Sequence, residues 1–308
     1  MDRSDITLER MRTFVRVVER GSLSAVAREH GVGQSSVTRH LNELEDAVGV
    51  ALLTRTTRRL ALTDEGHSFY RDSLQVLRLV EQARDDVRAQ RDAAAGTVRV
   101  SCTAALGVRH VTQLIFAFQD RHPGVAVDLG LTDERIDLVR DGIDIAVRLG
   151  PLTDSSMKLR TLGRSRRVLV ASPAYLDVHG SPMAPHDLAT HQGIRMANVA
   201  GSDAIQLELD GAAQPAVAFG GRFRTDHGLA AREALIAARG IAPAHLWLVD
   251  DLIADGRLVV VLPDHALSPV PLNMLIPPER ARIERVRLLI DFLVERIASI
   301  PGIERRWG

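Results

Sequence analysis

Apolar residues along this chain follow two rhythms, and the switch between them divides it. Up to residue 93 they recur at steps of three and four, the period of helices. Ser22 caps a short helix, in which Ala25, Val26 and Ala27 are small enough for a second helix to cross close by. Gly31 and Gly33 bracket Val32 in a tight turn, where both glycines are expected to take positive φ. The next helix starts at Gln34, with Val37, Leu41 and Leu44 facing inward. Gln34, Ser35, Ser36, Thr38, Arg39 and Asn42 fall largely on its other face. Leu52 and Leu53 dock a short hairpin. Thr63 then caps a long helix to about residue 93, where Phe69, Ser73, Val76, Val80, Ala83 and Val87 alternate at steps of four and three. Such spacing is a coiled-coil seam or one face of an ordinary amphipathic helix. A helix joining two domains has little of its own chain to pack on, which favours pairing with a second copy through Phe69, Val76, Val80, Ala83 and Val87.

Ala95 and Gly96 mark the change. Val98 and Val100 then alternate with polar residues, as in a strand. A helix over 108–120, a strand over 125–131, a helix over 134–140 and a strand over 143–149 follow. Residues 168–171 and 206–209 read as strands, 229–238 as a helix ending at Gly240, 258–262 as a buried strand and 282–298 as a final amphipathic helix. Alternation of this kind predicts a mostly parallel, doubly wound α/β sheet behind the helical N-terminal part, so α+β overall.

A length of 308 residues with a 45% apolar share suits two domains with buried cores. The formal net charge is zero, and residues 1–95 hold 15 arginines against 15 acids, so neither the chain nor its N-terminal part coats polyanions indiscriminately. Charge is instead placed locally. Arg55, Arg58 and Arg59 sit on the hairpin with no acid between Ala51 and Thr63. Alone, RTTRR reads as a solvated surface loop. Directly after two helices joined by a tight turn, it reads as a wing gripping duplex phosphates and the minor groove. Gln34, Ser35, Ser36, Thr38, Arg39 and Asn42, with Ser22, are then candidates for contacts to base edges and phosphates. A single cysteine, Cys102, excludes an intramolecular disulfide and suits a reducing cytoplasm. MDRSDITLER lacks the apolar stretch of a signal peptide, and no run approaches a membrane span of ~20 residues, so no membrane partner is expected.

Residues 7–93 resemble the N-terminal domain of LysR-type transcriptional regulators. The match is carried by Phe14, Val17, Glu19, Gly21, Ser22, Ala27, Gln34, Val37, Arg39, Leu44, Glu45, Gly49, Leu52, Arg55, Arg58, Leu62, Thr63 and Gly66 at the spacing of that family. Met11, His30, Gly33, Ser35 and Leu53 depart from its usual residues and bear on operator preference. DLVRDGIDIAVRLG at 137–150, SPAYL at 172–176 and GIAPAHL at 240–246 are similar to the effector-binding domain of the same family, which resembles periplasmic binding proteins. The resemblance implies a winged helix-turn-helix over 1–63, a linker and dimerisation helix over 64–93, and an effector domain over 97–308. That domain would have two Rossmann-like subdomains, 97–165 with 267–308 and 166–266. It also implies a dyad-related double-stranded DNA operator, a small-molecule effector, a self-paired dimer or tetramer, and RNA polymerase as a candidate further partner.

In open α/β folds ligands bind beyond strand C-terminal ends, near helix N-termini. Three loops qualify, at 102–107, 132–133 and 225–227, offering Thr103, Thr132, Asp133, Thr225, Asp226 and His227. Arg148, at a strand end, suits an anionic ligand unless it pairs with a local acid. Ala105 replaces a ligand-bonding hydroxyl found in relatives, and plain helix capping is the competing role for the threonines. Cys102 lacks a resolving partner and is expected to be packed. His186 and His191 lack a third ligand at metal spacing, and no nucleophile elbow, Walker A or dinucleotide fingerprint is present. No metal, cofactor or catalysis is expected. The rival readings are an architectural DNA-binding protein without effector and a solute-binding protein. The second would leave residues 1–93 without a role.

Overall fold

The computed structural model describes residues 6–55, 60–88, 95–151, 157–199 and 201–305. They form two compact units, residues 1–91 with 140–142, and residues 92–139 with 143–308.

In the first unit, α1 (Leu8–Arg20) is capped by Thr7, whose hydroxyl accepts from Arg10 N–H at 3.3 Å. Ser22 caps α2 (Leu23–His30), its Oγ accepting from Ala25 N–H at 3.3 Å. Gly31 closes α2 at φ 67°, as expected, but Gly33 has φ −71°. Gly33 is an extended N-cap of α3 (Gln34–Val48) with no side-chain bond, so its turn does not require a glycine. Phe14, Val17, Val26, Val37, Leu41 and Leu44 meet in one core together with Leu52 and Leu53 from the wing. The wing strands β1 (Leu53–Arg55) and β2 (Leu60–Leu62) pair antiparallel. Glu45 on α3 fixes the wing, its Oε1 accepting from Leu52 N–H at 2.7 Å and Leu53 N–H at 3.0 Å. Helix α4 (Asp64–Arg88) starts where Thr63 Oγ1 accepts from Gly66 N–H at 2.9 Å and donates to Ala51 O at 2.8 Å. A Cβ on Gly66 would lie 2.0 Å from Leu52 O, so only glycine lets α4 pass this close to the wing.

The second unit is built on β3 (Gly96–Cys102), flanked in parallel by β4 (Val125–Leu131) and β5 (Ile145–Leu149). Between β3 and β4 the chain is helical from Ala104, earlier than its apolar period indicates. It runs through α5 (Ala104–Leu106), a π-turn (Gly107–Val111) and α6 (Thr112–Arg121). The helix expected over 134–140 is absent. Thr132 Oγ1 accepts from Glu134 N–H and Asp137 Oδ1 from Val139 N–H, local turns that compete with helix. Leu138 instead packs on Ala146 and Leu275.

The sheet is mixed rather than mostly parallel, because two long strands run antiparallel through it. These are β6 (Lys158–Ala171) and the strand His265–Ile276, which also borders β5. The expected subdomain limits, 165/166 and 266/267, fall inside these two strands. Beyond them, α7 (Pro173–His179) is capped by Ser172, and β7 (Ile194–Met196) pairs in parallel with Phe223–Thr225. Short strands Ala204–Ile205 and Glu208–Leu209 replace the single strand expected over 206–209. Helix α8 (Gly228–Ile236) precedes Ala242–His245, an unexpected strand on β6, and α9 (Leu246–Ala254), an unexpected helix. The strand expected over 258–262 shrinks to Val259–Val260, and α10 (Glu284–Ile297) closes the unit.

Ion pairs tie these parts together. Arg232 of α8 grips Asp251 of α9 in a fork (2.7 and 2.6 Å), and Arg109 of the π-turn reaches the same carboxylate at 2.9 Å. The Arg232 bond holds Asp251 down to about 2, so the clasp persists above the ordinary aspartate range and is lost only as pH falls toward about 2. Asp144, buried before β5, accepts from Arg99 N–H at 2.8 Å and meets Arg280 Nε at 3.3 Å.

Candidate nucleic-acid interface and ligand site

The inward face of α3 is filled by Val37, Leu41 and Leu44, and this leaves its other face outward. Gln34, Ser35, Arg39 and Asn42 are exposed there, with Ser36 and Thr38 half-buried beside them. Ser22 is already committed to capping α2, and its contact to Ser24 Oγ is 3.1 Å. Arg55 ends β1, while Arg58 and Arg59 lie outside the described residues. The other arginines of this unit are partly consumed by acids. Arg10 bonds Glu43 at 2.8 Å, and Arg16 and Arg20 both reach Glu29. These pairs neutralise Arg10, Arg16 and Arg20, so the exposed face of α3 is not crowded by their unpaired charge.

Along α4 two faces separate. Phe69, Tyr70, Leu74 and Leu77 pack on the unit's own core, with the Phe69 ring 5.7 Å from that of Phe14. Ser73 is buried there too. Phe69 is thus held by its own chain, as an ordinary amphipathic helix would hold it. Val76 and Val80 are half-buried, and Leu79 and Ala83 are exposed at the neighbouring helical positions. Val87 sits in the last described turn of α4. Leu79, absent from the seam read from spacing, extends this outward stripe.

In the second unit the three loops do converge. Ala104 N–H donates to Asp133 Oδ1 at 3.2 Å. A Cβ on Gly107 would lie 2.2 Å from Leu131, and one on Gly228 would lie 3.1 Å from the Ala105 Cβ. Sequence reasoning passed over both glycines, whose missing side chains allow the approach. Ala105 itself is buried in that contact.

Most of the candidate polar groups serve their own loops. Thr103 Oγ1 donates to Val147 O at a long 3.5 Å, Thr132 Oγ1 accepts from Glu134 N–H, and Thr225 Oγ1 accepts from His227 N–H at 3.1 Å. Asp226 O accepts from Asn198 Nδ2. His227 caps α8, its Nδ1 accepting from Leu229 N–H at 3.3 Å, which places the ring proton on Nε2. Arg148 differs. Its guanidinium donates to Ser101 Oγ at 2.7 Å and to Val147 O at 3.1 Å. Burial lowers its pKa, with Cys102 and Asp133 opposing the shift. Among the described residues no carboxylate lies within ion-pair distance of it.

Burial pushes the Cys102 thiol up to about 12, so almost none of it is thiolate at neutral pH. Hydrogen peroxide should therefore leave operator binding unchanged, with Cys102 recovered as free thiol by mass spectrometry. Rapid loss of that thiol in the native protein would contradict this. His191 is occupied by the Tyr175 hydroxyl at 3.2 Å, and His186 lies 3.3 Å from Asp187. Ser165 and His245 form a buried pair at 2.7 Å, but Ser165 also accepts from Trp247 Nε1. Burial, with Arg167 nearby, pushes His245 down to about 3, leaving it neutral.

A winged helix-turn-helix followed by a mixed α/β unit defines the architecture of a two-part DNA-binding regulator. Comparison with known proteins gives the family. Residues 8–67 match the bacterial regulatory helix-turn-helix of the lysR family, and residues 91–298 match the LysR substrate binding domain. The HTH-type transcriptional regulator CrgA of Neisseria meningitidis serogroup B is 32% identical over 292 residues, 94% of this chain and 97% of the relative. The HTH-type transcriptional activator AaeR of Escherichia coli is 30% identical over 293 residues, 95% of this chain and 94% of the relative. The full-length structure of the Vibrio cholerae virulence activator AphB aligns with TM-score 0.67 at 29% identity, covering 94% of this chain and 99% of that one. The chain belongs to the LysR-type transcriptional regulators.

Proposed function

We propose that the protein is a cytoplasmic, self-paired regulator that selects a dyad operator through α3 and the wing and answers to a small anionic effector. The effector would bind where residues 102–107, 132–133 and 225–227 meet, drawing α8 and the β3–β5 side together. Its binding shifts the population between two arrangements of the DNA-bound protein. RNA polymerase is the further partner through which such a shift would reach transcription. The observation that carries the effector's sign is Arg148. It is a desolvated guanidinium with hydroxyl and carbonyl partners but no carboxylate among the described residues. Charge-assisted bonds to a ligand carboxylate would replace water there. Asp133, bonded to Ala104 N–H, limits the surplus charge and favours an effector with one acidic group.

The experiment is a metabolite screen by calorimetry on the full chain, followed by the same titration on Thr132→Val and Arg148→Ala. Both variants should lose the effector response while ligand-free operator binding stays within about threefold, inside the context-dependent scatter of single-site effects. Unchanged affinity in both would place the ligand elsewhere. Operator binding indifferent to every metabolite would favour the architectural reading.

A further inference from the structure

We propose that Glu45 is a positioning residue for the wing, one that sets the wing's grip on phosphate without taking part in base reading by α3. The proposal rests on the reading of α3 and the wing as the DNA face. Glu45 is among the residues that carry the family match, yet it belongs neither to the apolar core nor to the candidate base-reading set on α3. It follows the buried Leu44 and is half-buried, at the border of the two faces. Its Oε1 accepts from two successive amides, Leu52 N–H at 2.7 Å and Leu53 N–H at 3.0 Å. Successive amides of a regular strand point to opposite edges. Two of them on one oxygen mark the bend where the chain enters β1, and bonds to a carboxylate are the stronger kind.

The carbonyl side of the same bend is held from the start of α4. Thr63 N–H donates to Leu52 O at 3.1 Å and Thr63 Oγ1 to Ala51 O at 2.8 Å. Gly66 passes so close that a Cβ on it would lie 2.0 Å from Leu52 O. The Leu52 and Leu53 side chains are buried, which fixes how deep the wing base sits. The Glu45 bonds tie that base to α3 and set the direction of β1 relative to the helix. Arg55 ends β1 two residues beyond Leu53, and Arg58 and Arg59 follow in sequence, with no acid between Ala51 and Thr63. A change of direction at Leu53 is therefore carried to all three arginines. Bare electrostatics gives the opposite expectation, since an acid near the DNA face repels phosphate and its removal should tighten binding. The sign of the change separates the two.

The test measures binding of the full-length protein, over a salt series, to the duplex it selects from a random pool and to random DNA. Log affinity falls against log salt with a slope of about 0.9 per neutralised phosphate. Glu45→Ala should weaken binding to both duplexes by a similar factor and shrink the slope by about one to two, the loss of one or two wing contacts. The ratio between the duplexes should stay within about threefold, the scatter of single-site effects. Glu45→Asp keeps the charge but is one methylene shorter, so it should behave like alanine, and it serves if the alanine variant does not fold. Glu45→Gln keeps an acceptor oxygen at full length and should restore the wild-type slope. Arg55→Gln should shrink the slope by itself and add little in a Glu45→Ala background. The proposal is overturned if the slope is unchanged, or binding tightens, in the alanine and aspartate variants while Arg55→Gln still shrinks it. It is equally overturned if the Glu45→Gln slope falls as far, since the effect would then follow charge, or if the ratio between duplexes collapses, since Glu45 would then serve base reading. An unchanged slope in Arg55→Gln as well would overturn the wing's role itself.

Discussion

Asp144→Ala should destabilise the C-terminal unit by about 3–5 kcal/mol, the largest stability effect expected from any single substitution considered for this chain. The carboxylate is almost wholly buried, its side chain 5% exposed against 10% for Arg280. Burial raises its carboxyl above the ordinary range, outweighing the bond from Arg99 N–H and the Arg280 charge. A pair of this kind is costly to bury, yet more costly to break, because the guanidinium left behind stays out of water. It also lies where elements meet. The Arg99 amide belongs to β3, Arg280 precedes α10, and the buried Arg285 of α10 donates to Thr97 O at 3.1 Å. Urea unfolding of the full chain, with Trp247 fluorescence reporting the C-terminal unit, measures the loss. Because the chain has two units, the transitions must be fitted separately. A loss under about 1 kcal/mol, the scale of an exposed pair, would contradict the account. Asp144→Asn keeps an acceptor for Arg99 N–H and should cost less than alanine.

Val80→Asp should convert the oligomer to a species that binds a full palindrome about 10²–10⁴-fold more weakly, the avidity gained when two half-sites are engaged by linked reading heads. The outward stripe of α4 explains why. Val76, Leu79, Val80 and Ala83 are spaced at helical steps of three, one and three, beyond the face used by Phe69, Leu74 and Leu77. A carboxylate in that stripe is tolerable in a solvated single helix but must be desolvated in a paired one. Circular dichroism should therefore show folded units while sedimentation shows dissociation. Val76→Asp should act in the same direction, and an unchanged oligomer in both variants would refute pairing through this stripe.

The helical N-terminal unit was legible almost residue by residue, because its burial follows a single period and its ends are punctuated by Ser22, Gly31, Gly49 and Thr63. Even there, Gly33 misled, since glycine next to a turn need not take positive φ. Phe69 illustrates a second limit, for helical spacing cannot say which of two faces a partner will take. In the C-terminal unit the parallel strands β3, β4 and β5 were visible as apolar alternation. Of β6 only the buried end, 168–171, was visible, and His265–Ile276 was not, because the exposed parts of both carry charged and polar residues and only stretches of each are buried. The missing helix over 134–140 was lost to side-chain turns at Thr132 and Asp137. Of the candidate effector residues, the apolar spacing places the loops at strand ends. That Thr132, Thr225 and His227 bond their own turns, while Arg148 donates to a hydroxyl and has no carboxylate within ion-pair distance among the described residues, depends on tertiary geometry alone.

Arg39, exposed in mid-α3, provides the most direct test of sequence-selective binding. The measurement is competition between random DNA and the duplex that the wild-type protein selects from a random pool, at fixed salt, for wild type and Arg39→Ala. If Arg39 forks onto a base, the variant loses about 1–3 kcal/mol on the selected duplex and little on random DNA, collapsing the ratio between them. Equal losses on both duplexes would mean that Arg39 contacts only phosphates, contradicting base reading by this helix.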